Sequence, residues 1–492
     1  MSDNLWIITN SLLEKEKKIK RNDILDFFLL IVITLLVPLL TIGRIVLDDG
    51  THNDIKDYSD GYSFGKFYQY VNQEPNTWVS VLLFSVIGCL LLLYYILRFR
   101  HTGKKASRIF LLITVFYLCL RLVGTFLFPY GPIDFHFISP LGNDTPYTIS
   151  YSGFSIGARI KQFISELLSI FYVFELFVFL PTYSRYTYSW FRILIYICIV
   201  IPIFLLVYSW IKEGNLWIEN IRFFLKGGEY QNILSLTTHK NVFGYFLLIG
   251  CFSFLTLFFK KHHFIFIILA FFFCGMTLIV LSKTTFLIGM IAIFLSLLFY
   301  PIFFFSKKKK NSIFSLILLF LFCIVAILAI SKYGFRKIID KVLDPGSTLS
   351  MRINHIKIAI SMFRNQSILL LIFGYGRFPF TSIHLPYQHI IPYEALWTSH
   401  NSYIESVMHT GIIGLVYLLV LDFIFLFRIG KTGHFHKESV IYFITFFSIS
   451  IYSALEPRIL FLNTGFEILL AYFLIVFPLF VDYGHRRENC LI

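Results

Sequence analysis

His400–Gly414, HNSYIESVMHTGIIG, is a polar and aromatic stretch that ends in small residues. It continues without interruption into LVYLLVLDFIFLF, residues 415–427, and the segment 406–427 is long and apolar enough to cross a bilayer as a helix. A histidine and an asparagine would then lie side by side where the chain enters the membrane. This stretch therefore predicts a membrane fold with a polar site at its surface.

The composition of the whole chain supports this interpretation. Of its 492 residues, 57% are hydrophobic, 19% aromatic and only 14% charged, whereas about 25% of residues are charged in a typical soluble domain. The sequence predicts a single all-α polytopic membrane domain over residues 1–492. About twelve transmembrane helices are expected, at 24–46, 78–98, 109–128, 163–182, 191–210, 241–259, 264–281, 284–305, 312–331, 406–427, 439–455 and 463–482.

The formal net charge of +15 would suggest a nucleic-acid partner in a soluble protein. Here the basic residues lie mostly in alternate, short connections between the predicted helices, so they indicate membrane topology and not nucleic-acid binding. Both termini are predicted to be cytoplasmic. The basic segments are Lys15–Arg21, Arg98–Arg108, Lys260–His263, Lys307–Lys310, Arg428–Lys437 and His485–Arg487.

The longer connections are assigned to the external side, at 48–77, 129–160, 211–240 and 332–405. The last is a large extracytoplasmic loop, and its segment Ser350–Asn365 has the pattern of an amphipathic helix. Arg352 falls on the apolar face of that helix, where a guanidinium needs an anionic partner or a route to water. Arg352 is either an anion ligand or one half of a structural ion pair with Glu405 or Glu394.

Several further polar residues are assigned to the same external side. Lys283 lies between two apolar runs at the depth of a lipid headgroup, where it binds an anion or extends its ammonium to the interface. His239 and Asn241, in TTHKNVFGY, repeat the polar pair His400–Asn401 before another predicted span. Together these residues suggest a site that opens outward.

Other features limit the chemistry. All seven cysteines lie in predicted spans or at the cytoplasmic end, which predicts neither disulfides nor a metal site. A GxxxxGK[ST] phosphate loop does not occur in the sequence, and the cytoplasmic connections are too short for a nucleotide-binding domain. We therefore expect no cofactor, and any substrate must arrive already activated.

His400–Asn401, nine residues, Gly411, two residues and Gly414 match the signature H-[NSQ]-x9-G-x-x-G. In this the chain resembles the O-antigen ligase and polymerase superfamily of bacterial membrane glycosyltransferases. The resemblance extends to the number of spans, the late external loop, the Asn241 segment and the Ser282–Lys283 segment. The chain departs from the family at Lys283, where an arginine is common, and a lysine lacks the bidentate fork of a guanidinium.

The resemblance implies a metal-independent glycosyltransferase in the bacterial cytoplasmic membrane. Its donor would be an oligosaccharide on a polyprenyl diphosphate, and its acceptor a sugar hydroxyl at the outer face. His400 would act as general base, Arg352 and Lys283 would neutralise the departing diphosphate, and Arg377, in the turn Gly374–Arg377, would be a third cation. Supporting roles would fall to the remaining motif residues, Asn401, Gly411, Gly414, His239 and Asn241.

Three activities remain open. The AT-rich codon bias implied by the Phe, Ile and Lys content favours a surface-polysaccharide polymerase, which would work beside a flippase and a chain-length regulator. A ligase shares the same motif. A lipid-linked oligosaccharide flippase would also have about twelve spans, but it is expected to carry its cations between two related halves, and here the candidate cations lie late in the chain.

Overall fold

The computed structural model describes residues 133–137, 147–151, 187–226, 233, 235, 240–306, 308–333, 368–374, 401–435 and 440–456. These form two strands, β1 (Ile133–Phe137) and β2 (Tyr147–Tyr151), and eight helices. The helices are α1 (Thr187–Lys226), α2 (Lys240–Lys261), α3 (Ile265–Ile279), α4 (Lys283–Phe304), α5 (Lys309–Tyr333), α6 (Ile368–Phe373), α7 (Ser402–Phe435) and α8 (Val440–Leu455). The predicted spans before 187 and after 456, and the predicted helix Ser350–Asn365, lie outside the described residues.

Strands β1 and β2 pair in antiparallel register, from Ile133 opposite Tyr151 to Phe137 opposite Tyr147. They fall within the predicted external connection 129–160. Their sequences, IDFHF and YTISY, are rich in the β-branched and aromatic residues that strands prefer. This ribbon was not predicted, and the rest of the described chain is helical, as the sequence predicted.

Helix α2 is the centre of the bundle. All its side chains from Phe243 to Phe259 are buried, and it packs against α1, α3, α4 and α8. A helix that is apolar all round is expected to be surrounded by other elements. Within the described residues, three helical segments are long and apolar enough to cross a membrane, namely Ile195–Phe223, Lys240–Lys261 and Lys283–Phe304. Shorter apolar helices occupy 265–279, 410–420 and 440–455.

Helix α1 is longer than the predicted span 191–210 and extends through the first part of the predicted external connection 211–240. The helix bends at Glu213 (φ −122°, ψ 24°) and continues to Lys226. At the bend, the Glu213 carboxylate accepts hydrogen bonds from Ser209 Oγ (2.8 Å) and from the Ser235 backbone N–H (3.0 Å). These hydrogen bonds stabilise a polar side chain within the helix. The helix can therefore continue beyond the apolar run 191–210 that predicted it.

Helix α7 folds back on itself at Gly411, whose φ is +68°. The Tyr403 hydroxyl donates to Asp422 Oδ2 at 3.3 Å although the two residues are 19 positions apart, a separation that a straight helix would convert into about 28 Å. The prediction of one uninterrupted span over 406–427 is therefore wrong. A side chain at Gly411 would also collide with the carbonyl of Ile372 in α6.

Candidate functional site

Four segments meet at one end of the bundle: the start of α2, the residue before α4, the start of α7 and the residue after α8. Asn241 Nδ2 donates to Glu456 Oε1 at 3.2 Å, and Asn241 Oδ1 accepts from Ser282 Oγ at 3.3 Å. Ser402 Oγ donates to the backbone carbonyl of Glu456 at 2.8 Å. We call Asn241, Ser282, Ser402 and Glu456 the polar cluster.

The polar cluster is largely withdrawn from solvent. Glu456 is 3% exposed, Ser282 and Ser402 are fully buried, and Asn241 is half-buried. Polar groups in such positions must form hydrogen bonds, because leaving one without a partner costs about 1 to 3 kcal/mol. The cluster meets this demand with bonds that link helices distant in the sequence.

The local backbone at Ser282 explains why its hydroxyl reaches Asn241. Leu281 has a φ of +64°, and Ser282 stands at the N-cap of α4 without making a side-chain cap bond. A serine in this position usually caps its own helix. A Cβ on Gly244 of α2 would lie 2.8 Å from Thr285 Oγ1 and would collide with Ser282, so the glycine permits the close contact of α2 and α4.

Asn401, the second signature residue, caps α7. Its Oδ1 accepts from the backbone N–H groups of Tyr403 (2.9 Å) and Ile404 (3.1 Å), a standard N-cap arrangement. Its Nδ2 donates to the carbonyl of Ala454 at 3.0 Å. The side chain thus ties the first turn of α7 to the last turn of α8, close to Glu456.

The two signature glycines shape the reversal that follows. Gly411 supplies the positive φ and admits the backbone of α6. A Cβ on Gly414 would collide with the Thr410 side chain across the bend. The spacing of these glycines therefore serves a fold-back of α7, and the tight neighbour expected from the sequence is the short helix α6.

Two ammonium groups lie at the same end. Lys283, at the first position of α4, is exposed, and its charge interacts with that of Lys240, at the first position of α2. Lys283 was predicted from the sequence as a site residue, whereas Lys240 was not. The signal was present in TTHKNVFGY, where Lys240 separates the two residues that were chosen.

Glu456 was also missed. It directly follows the predicted span 439–455 and precedes Pro457, a position that could have indicated a carboxylate at the external end of a helix. Its partner Asn241 is 215 positions away, which is why no local pattern connects them. The other predicted site residues, His400, Arg352, Arg377 and His239, lie outside the described residues.

The described residues contain no group of three or more His, Cys, Asp or Glu side chains that could hold a metal ion. Within the described residues, Cys198, Cys251, Cys274 and Cys323 are not joined in disulfide bonds.

A family model matches the part of the chain that contains Ser282 and Ser402 of the polar cluster. Residues 269–419 match the family model described as O-antigen ligase. The match contains Ser282, Lys283, Asn401, Gly411 and Gly414, and it confirms the resemblance to the O-antigen ligase and polymerase superfamily. The apolar helices and this match support a membrane protein whose segment 269–419 is similar to a family of glycosyltransferase-like enzymes. Neither the curated proteins nor the solved structures gave a match.

Proposed function

We propose that the protein is a polymerase of bacterial surface polysaccharide. It transfers an oligosaccharide from a polyprenyl diphosphate carrier to a sugar hydroxyl of the acceptor chain, at the outer face of the cytoplasmic membrane and without a metal ion. The observation that carries the proposal is the convergence of Asn241, Ser282–Lys283 and Asn401–Ser402 at one end of the bundle. These are segments that the superfamily resemblance selected from the sequence.

Charge at this end suits a diphosphate. Lys240 and Lys283 are close enough for their like charges to interact, and an anion between them would relieve the repulsion. The hydroxyl of Ser282 does not cap the first turn of α4, so the positive end of that helix dipole adds to the two ammonium groups. Together they would stabilise the charge that develops on the departing diphosphate.

The opposite end of the bundle supports the orientation. We call Lys260, Lys261, His262, His263 and Lys308–Lys310 the basic end; α2 separates it from the polar cluster by about 33 Å, the length of a 22-residue helix. Loops rich in lysine at one end of transmembrane helices are usually on the cytoplasmic side of the membrane. The polar cluster would accordingly face outward, where a lipid-linked donor is presented.

The remaining roles come from the resemblance. His400, adjacent in sequence to the cap residue Asn401, would take the proton of the acceptor hydroxyl, and Arg352 and Arg377 would add positive charge around the diphosphate. Attack by the hydroxyl on the anomeric carbon would release the polyprenyl diphosphate in a single displacement.

A ligase is the second candidate, and the description of the matching family as O-antigen ligase favours it. A ligase would move a finished chain to a different acceptor, whereas a polymerase would extend the chain by repeat units. Both would need the same cations and the same base, so only the product distinguishes them.

The test uses a strain deleted for the gene and complemented with wild type, His400→Ala, Lys283→Ala or Lys310→Ala at equal membrane abundance. We expect wild type and Lys310→Ala, whose lysine is exposed at the basic end, to restore a ladder of polysaccharide lengths. His400→Ala and Lys283→Ala should leave a single repeat unit on the normal acceptor, with transfer reduced about tenfold to a hundredfold at Lys283, the equivalent of one charged hydrogen bond.

Other outcomes identify the alternatives. Accumulation of long lipid-linked chains in the deletion strain, with no single-unit product, would indicate a ligase. Retention of the unextended lipid-linked unit on the cytoplasmic side would indicate a flippase. A normal ladder from both His400→Ala and Lys283→Ala would contradict the proposed site.

A further inference from the structure

We propose that Glu456 is a positioning residue for the transfer reaction. Its carboxylate fixes the orientation of the Asn241 amide, and through it the direction in which the Ser282 hydroxyl, beside Lys283, donates its hydrogen bond. This inference rests on the proposed function, but no motif of the sequence selected Glu456, and it lies outside the matched segment 269–419.

Because its side chain is buried, Glu456 would act on the reaction through other residues. With 3% of its surface exposed, its side chain is not available to bind a sugar or a diphosphate directly. A buried carboxylate is costly unless hydrogen bonds compensate it. At this junction of four helices, the hydrogen bond from Asn241 provides such compensation.

The direction of the hydrogen bonds supplies that role. The NH₂ group of Asn241 donates to Glu456 Oε1 at 3.2 Å, which is the orientation that an ionised carboxylate would require because it can only accept hydrogen bonds. The carbonyl oxygen Oδ1 then faces Ser282, whose hydroxyl must donate to it, at 3.3 Å. The lone pairs of Ser282 Oγ remain as acceptors beside the first turn of α4 and the Lys283 ammonium.

The backbone around Glu456 binds the start of α7. Its carbonyl accepts from Ser402 Oγ at 2.8 Å, and the carbonyl of Ala454 accepts from Asn401 Nδ2 at 3.0 Å. The end of α8 thus holds the two motif segments in a common frame, one through its side chain and one through its backbone. A change of the Glu456 side chain leaves these backbone acceptors in place and alters the link to Asn241 and Ser282.

Three variants separate direction from mere contact. In Glu456→Gln, the new amide can accept a hydrogen bond from Asn241 or donate one to it. Two opposite directions of the hydrogen bonds from residue 456 through Asn241 to Ser282 then compete. In the double variant Glu456→Gln/Asn241→Asp, the carboxylate is moved to α2, accepts from Gln at 456, and again requires Ser282 to donate. In Asn241→Asp alone, two carboxylates face each other and must share a proton.

The assay uses the lipid-linked oligosaccharide that accumulates in the deletion strain, extracted and labelled, with the full-length protein in proteoliposomes. We expect Glu456→Gln to lower kcat about tenfold with a smaller change in KM, the rate equivalent of about 1.4 kcal/mol, or one misdirected hydrogen bond. The double variant should recover most of this loss. Asn241→Asp should be active at acidic pH and lose activity as the shared proton dissociates.

Glu219→Gln is the matched control, because Glu219 is exposed on α1 and should keep the wild-type kcat and KM. A wild-type kcat for Glu456→Gln, or a double variant no better than that single variant, would overturn the inference. A wild-type protein that transfers no oligosaccharide would instead remove the proposed function and this inference with it. If Glu456→Gln does not accumulate, the pH profile of Asn241→Asp decides, and a profile parallel to that of wild type would overturn the inference.

Discussion

The two ends of α2 handle polar groups in different ways. At the start of α2, the polar cluster buries Ser282, Ser402 and Glu456, keeps Asn241 half-buried and links all four residues across four segments. At its other end the lysines are exposed or partly exposed, and the polar contacts join the turn at His262 to Tyr300 and Asn311.

The basic end is built around a turn. His262 has a φ of +58°, its Nδ1 lies 3.0 Å from the Tyr300 hydroxyl, and its carbonyl accepts from Asn311 Nδ2. Exposed cations stay solvated and indicate membrane topology. A largely buried hydrogen-bond network instead holds its side chains in one geometry, and disturbing it lowers stability because buried polar groups lose their partners. The comparison therefore assigns orientation in the membrane to one end and chemistry to the other.

The largest effect is expected at Gly411, whose reversal brings the start of α7 to the polar cluster. Gly411→Ala would force a non-glycine residue into φ +68° and against the carbonyl of Ile372. We expect a loss of about 3 kcal/mol or more from strain and overpacking together, seen as a lower thermal unfolding midpoint in detergent and lost activity. Gly275→Ala in α3 is the control, because nothing lies within 4 Å of its added Cβ. Equal behaviour of the two variants would contradict the assigned reversal.

A smaller effect is expected where α2 meets α4. Gly244→Ala places a methyl group against Ser282 and Thr285, so the two helices must separate at the polar cluster. Overpacking of this kind costs about 2 to 3 kcal/mol, and transfer activity should fall further than stability because Ser282 moves away from Asn241. The ratio of activity to folded protein is the measurement, and an unchanged ratio would separate the cluster from the reaction.

The third prediction compares one amide at each end. Asn241→Ala removes a bond to the buried Glu456 carboxylate, and we expect a loss of about 1 to 2 kcal/mol in unfolding free energy. Asn311→Ala at the basic end should cost less, since both its side chain and His262 are only half-buried and water can replace the amide. Thermal unfolding of the two variants tests the ranking, and the reverse order would undo the contrast between the ends.

The helices of the central bundle could be predicted from hydropathy because backbone groups in hydrocarbon must bond within a helix. The predicted spans 241–259, 264–281, 284–305 and 312–331 differ from α2–α5 by only a few residues at each end. The fold-back at Gly411 could not be predicted, since a glycine in an apolar run is equally compatible with a straight helix. The extension of α1 past Glu213 depends on bonds to Ser209 and Ser235 that its own pattern does not reveal.

The candidate site shows the same division. Asn241, Lys283 and Asn401 could be selected because a polar residue beside an apolar run is conspicuous, and the structure brings their segments together. Glu456 has a comparable position, but its importance depends on Asn241, which is 215 positions away. Local patterns identify which residues are unusual, and only the packing of helices shows which of them meet.

The smallest effect is a pH dependence at the basic end. Burial, and then the positive charges of Lys308 and His263, lower the pKa of His262 below its ordinary value of about 6.5. Above that value His262 is neutral in both states and costs nothing. As the pH falls below it, the unfolded chain takes up a proton that the folded protein resists, so stability declines until the pH reaches the lowered pKa of the folded state.

We therefore expect the thermal unfolding midpoint to fall modestly between neutral and mildly acidic pH, and His262→Gln to reduce that fall, because glutamine does not titrate. His263→Gln, at an exposed neighbouring position, should retain most of it. Transfer activity per folded molecule should be the same in His262→Gln and wild type at neutral pH, since the polar cluster lies at the other end of α2. A His262→Gln variant that folds normally but loses activity would show that the two ends are coupled, and the division of roles between them would have to be abandoned.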